Sequence, residues 1–82
     1  MDDQQRKEKE AVLASCERYA EKAYDAMYDA HSPSDATALY SDAKEGFYEA
    51  LRVARELGLA DEVRRLEARL AHVKSVFRSQ FS

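Results

Sequence analysis

The stretch HSPSD (31–35) breaks the chain at a single chemical signature. Pro33 biases Ser32 away from the helical backbone region. Ser32 is in turn a good N-cap for a helix that opens with Pro33 at its first position and Asp35 at its third. A carboxylate there complements the positive end of the helix dipole. A second break lies at ELGLADE (56–62). Gly58 can take the left-handed conformation past a helix end, which places Leu59 to pack back on Ala54. Asp61 and Glu62 then fall where the next helix start favours negative charge. The chain holds only two glycines and one proline, so the segments between these breaks must be long. Three helices are expected, over roughly 6–30, 33–57 and 61–80.

Apolar spacing supports this division. Leu13, Cys16, Ala20, Ala23, Met27 and Ala30 step by threes and fours, with Val12, Tyr19 and Tyr24 widening the stripe. The second segment repeats the pattern at Ala36, Tyr40, Ala43, Phe47, Ala50, Ala54 and Leu57. The third continues it at Val63, Leu66, Leu70, Val73 and Phe77. No segment alternates with the period of a strand. Short loops between long helices make neighbours antiparallel, so the expected fold is all-α, an up-down-up three-helix bundle. Gly46 sits mid-helix at a cost of about 1 kcal/mol relative to alanine. Close approach of the first two helices, both rich in inward alanines, is the simplest offset.

Eighty-two residues make one helical domain, with the polar residues 1–5 expected to fray. The balance of 45% hydrophobic and 35% charged residues is too apolar for a disordered chain and too charged for a membrane protein. No apolar run approaches the ~20 residues that span a bilayer. MDDQQRKEKE at the start shows no apolar signal segment, and the single Cys16 has no internal disulfide partner. These features give the expectation of a soluble, cytoplasmic protein with no membrane partner.

One short resemblance is visible. Ala43, Phe47, Ala50 and Leu51 are spaced as in the second helix of a tetratricopeptide repeat. It spans about eight residues, without the first-helix pattern upstream, and is read as helix-packing chemistry common to both.

Two surfaces are candidates for function. In an up-down-up bundle, the end of the first helix, the start of the second and the end of the third lie together. That end gathers Tyr24, Met27, Tyr28, Tyr40, Phe77 and Phe81, a patch able to receive a partner protein or a second copy of the chain. The same residues also suit a core whose tyrosine hydroxyls reach water. The second candidate is the basic set Arg64, Arg65, Arg69, Lys74 and Arg78 on the third helix, which could contact nucleic-acid phosphates. Interleaved Glu62 and Glu67, and a net charge of −3, argue against that use. The carboxylates Glu17, Glu21, Asp25 and Asp29 form a stripe at four-residue spacing. Arg65, Arg69 and the neighbouring Arg64 could face it if the outer helices are neighbours; otherwise the two rows could meet between two subunits.

No glycine-framed nucleophile or glycine-rich phosphate loop is present. The histidines His31 and His72 stand far from Cys16 in sequence, short of a zinc ligand set. Cys16 itself reads as a buried, inert thiol. The expectation is a non-enzymatic interaction module without cofactor or metal, acting alone or as a homodimer. The alternative is a nucleic-acid-associated regulator.

Overall fold

The computed structural model describes residues 2–81 as three helices. These are α1 (Asp3–Met27), α2 (Pro33–Glu56) and α3 (Ala60–Gln80). Both breaks form as their chemistry requires. Ser32 Oγ accepts the Asp35 N–H at 3.1 Å, with Pro33 opening α2. Gly58 takes a φ of 70°. Its N–H donates to the Arg55 carbonyl at 3.1 Å and the Leu59 N–H to the Ala54 carbonyl at 3.0 Å, the paired bonds of a Schellman ending.

α1 departs from expectation at both ends. It begins at Asp3 rather than residue 6, because the Asp2 carboxylate accepts the Gln5 N–H at 2.8 Å and caps the helix. Met1, within the segment expected to fray, lies outside the described residues. The helix stops at Met27 rather than residue 30. The N–H groups of Tyr28, Asp29 and Ala30 bond to carbonyls three residues back, which tightens the last turn into the loop.

Side-chain pairings define the topology. Lys9 meets Glu56, and Ala20 lies opposite Gly46, so α1 and α2 run antiparallel. Tyr40 stacks on Phe77 and Tyr48 binds Lys74, so α2 and α3 do the same. α1 and α3 are parallel, joined at a constant offset of 48 residues by Glu17–Arg65, Glu21–Arg69 and Tyr24–His72. The chain is an up-down-up three-helix bundle with Cα extents of 46 × 19 × 13 Å. No helix among the described residues is long and apolar enough to cross a membrane.

α1 and α2 approach most closely, α3 packs chiefly on α2, and α1 reaches α3 mainly through long side chains. The reason lies in residue size. Ala20, Ala43, Ala50 and Ala54 have no exposed surface. A Cβ built on Gly46 would lie 2.7 Å from the Ala20 Cβ and 3.0 Å from its Cα. Phe47, Met27, Leu66 and Val73 are the largest fully buried side chains, and they fill the volume that the alanine seam leaves. Among the described residues no buried side chain is polar or charged.

The backbone of Ala20 cannot yield as a flexible side chain would, so a larger residue at position 46 must separate the helices. Gly46→Leu should lose about 1–3 kcal/mol or more through overpacking, outweighing its better helix propensity. Urea or thermal melting measures it, each kcal/mol moving the midpoint by about 4–8 °C. An unchanged midpoint would remove the close contact.

Candidate functional site

The end of the bundle at the α1–α2 loop carries a ladder of aromatic rings drawn from all three helices. Tyr24 and Tyr28 stand one turn apart on α1 with ring centroids 5.5 Å apart, edge to face. Tyr28 meets Phe81, just past α3, edge-on at 5.6 Å. Phe81 stacks with Phe77 at 6.2 Å, and Phe77 lies flat on Tyr40 of α2 at 3.9 Å. Lys44 Nζ sits 4.4 Å from the Tyr40 ring centre and caps the far end as a cation on a π face.

Burial divides the six residues expected to meet a partner. Met27 is 0% exposed and Tyr24 only 6%, so both belong to the core and offer no anchor. Met27 lies on the inward face of α1, and Tyr28, which keeps helical dihedrals, falls one position round on the outer face. Tyr40, Phe77 and Phe81 are half-buried and packed against the core. Tyr28 is 50% exposed, and its hydroxyl shares a 2.7 Å hydrogen bond with that of Tyr24. The Tyr24 hydroxyl also lies 3.3 Å from His72 Nε2. The bond to Tyr28, and then burial, push the Tyr24 phenol up to about 12, so it remains protonated at neutral pH. Tyr28, His31, Pro33, Gln80 and Phe81 border a shallow groove at this end, with Met27 in its floor.

The basic residues of α3 are largely engaged within the protein. Arg65 grips Glu17 with two bonds of 2.5 and 2.7 Å and also holds Glu62 at 2.5 Å. Arg69 grips Glu21 at 2.7 and 2.8 Å and lies 5.0 Å from the Tyr24 ring centre. Arg64 pairs with Asp61, and Lys74 donates to the Tyr48 hydroxyl at 2.8 Å. Arg78 is exposed in the last turn of α3. A phosphate reaching this face would compete with intramolecular carboxylates.

The acidic stripe splits the same way. Glu17 and Glu21 face α3, whereas Asp25 and Asp29 face solvent. Among the described residues no three of His, Cys, Asp and Glu gather as a metal-holding group. Cys16 was expected to be buried, but it is half-buried and lies in an outer groove between α1 and α2. Position 16 is at the margin of the α1 stripe, and the shallow Ala20–Gly46 seam leaves that margin partly open. Sequence reasoning missed this groove and the Tyr24–His72 contact. The sequence set Arg65 and Arg69 against the acidic stripe only as rows; the 48-residue offset that pairs Glu17 with Arg65 and Glu21 with Arg69 also brings His72 to Tyr24.

The Arg65 hydrogen bond holds the Glu17 carboxyl below its ordinary value, and burial only partly opposes it. That contribution to stability is fully present above the ordinary carboxylate range and is lost as pH falls through the lowered folded value. A double-mutant cycle of Glu17→Gln and Arg65→Ala should give a coupling of about 0.5–1 kcal/mol at neutral pH, since Arg65 is half exposed. The coupling should fade in acid and at high salt. A coupling that persisted at low pH would show that the pair acts through packing and not through charge.

No protein-family model matches the sequence, and no curated protein or solved structure matches it either.

Proposed function

We propose that the protein is a small non-enzymatic interaction module that engages a protein partner, or a second copy of itself, through its aromatic end. The observation that carries this reading is Tyr28. Its ring is half exposed, yet it is held between Tyr24 and Phe81 and its hydroxyl is already bonded. A large apolar surface fixed in this way loses little side-chain freedom on binding, which is the physical character of an interface anchor. Phe81, Phe77 and Tyr40 extend the same surface behind it.

Contact between α3 and nucleic-acid phosphates is the weaker reading. Arg65 and Arg69 would have to leave bidentate carboxylate partners of their own chain.

Tyr28→Ser should leave stability within about 1 kcal/mol and reduce partner capture or self-association. Thermal melting, light scattering across a concentration series and affinity capture against wild type measure the three effects. A loss above about 2 kcal/mol would assign Tyr28 to the fold instead. Wild-type complexes that dissolve steeply with added salt, and survive Tyr28→Ser, would move the reading to the basic face.

A further inference from the structure

The face between α2 and α3 carries a further cluster, built from both helices. On α2, Tyr40, Lys44 and Tyr48 stand one turn apart in a single row. Lys44 Nζ sits 4.4 Å from the centre of the Tyr40 ring, which is itself stacked on Phe77. From α3, Lys74 Nζ donates to the Tyr48 hydroxyl at 2.8 Å and lies 5.3 Å from the centre of that ring. Tyr48 is 51% exposed, so the two ammonium groups are steadied by rings at the protein surface.

Hydrogen bonding in this cluster has one polarity. An ammonium group only donates, so the Tyr48 oxygen accepts from Lys74 and the phenol keeps its own proton to give. Neither that O–H nor the Lys44 ammonium has an acceptor among the described residues. The Lys74 bond holds the Tyr48 phenol below its ordinary value; burial opposes this, and the charges of Lys74 and Lys44 add to it. Carboxylates do not balance the site. Residues 68–81 contain no Asp or Glu, and the ionisable groups acting on Lys74 are Tyr48, Tyr40 and Arg78. On α2, Glu45 and Glu49 line the groove toward α1, and Asp42 lies one turn from Glu45 on that side. Glu67, the next acid back along α3, is two turns from Lys74.

From this arrangement we propose that Lys44, Lys74 and the Tyr48 hydroxyl form a binding site for a phosphate group. Two ammonium charges match a doubly charged oxyanion. Donors from three side chains suit its tetrahedral oxygens, whereas a planar carboxylate is better matched by an arginine fork. Lysine acts on phosphate as a point charge, so what the site must supply is position, and the rings supply it. The site is separate from a nucleic-acid track along α3, whose Arg64, Arg65 and Arg69 are held by carboxylates of the same chain. It also stands independently of Tyr28 as a partner anchor. Free phosphate and the phosphate headgroup of a lipid present the same chemistry to it.

The probes are inorganic phosphate, and phosphatidylcholine vesicles with and without phosphatidic acid, all at low ionic strength. Phosphate should shift the NMR resonances of Lys44, Tyr48 and Lys74 saturably, and chloride of equal ionic strength should not. Lys44→Gln and Lys74→Gln should each weaken binding about tenfold, and Tyr48→Phe about threefold. Arg64→Gln and Tyr28→Ser should leave it unchanged. Saturation by free phosphate assigns the site a soluble ligand. Binding to phosphatidic-acid vesicles alone, weakened by the same three substitutions, assigns it a headgroup. Binding in neither arm, equal weakening by Arg64→Gln, or undiminished binding by Tyr48→Phe would overturn the proposal.

Discussion

The contact between Ala20 and Gly46 sets the spacing from which the rest of the bundle follows. At that point α1 and α2 are so close that the Ala20 methyl fills the gap and a second one at position 46 does not fit. Such a seam gains dispersion contacts from backbone atoms but buries little side-chain volume. The larger apolar residues must therefore find their places elsewhere, and Phe47, Met27, Leu66 and Val73 do so as fully buried side chains. α3 thus supplies bulk to a hairpin that α1 and α2 close with small residues. α1 accordingly meets α3 mostly through long side chains.

Two devices hold α3 against that off-centre hairpin. One is the offset of 48 residues shared by Glu17–Arg65, Glu21–Arg69 and Tyr24–His72. A slip of α3 by one turn would break all of these together, so weak exposed pairs can select the register even when each adds little stability. The other is the ring ladder, which ties the end of α1 to the end of α3 and the start of α2. The α1–α2 loop links two of these helix ends covalently, and the end of α3 joins them through side chains alone. Within that end the Tyr40–Phe77 stack ties α2 to α3, while Tyr28 stands half exposed at its edge.

What was legible in the sequence was what local chemistry determines. Ser32 and Gly58 mark helix ends through backbone requirements that few other residues meet, and both ends form where those residues stand. Gly46 was legible because an interior helical glycine needs a compensating contact. The C-terminus of α1 carried no such mark. It ends on Tyr28 without a glycine, by hydrogen bonds three residues back. Cys16 and Tyr19 were illegible for another reason. Residues at the edge of an apolar stripe are covered or open according to the width of the seam beside them, and that width depends on Gly46 in the next helix.

The same geometry makes the two faces unequal in kind. At the aromatic end, rings already pack on one another, so their side chains are held in place. On the outer face of α1, Val12 and Tyr19 are about half exposed and have no ring contact or polar bond among the described residues, so they keep their rotational freedom. The close α1–α2 seam underlies the difference. Small residues meet along it, and the stacked rings of Tyr40 and Phe77 pack where α3 supplies the bulk that the seam does not.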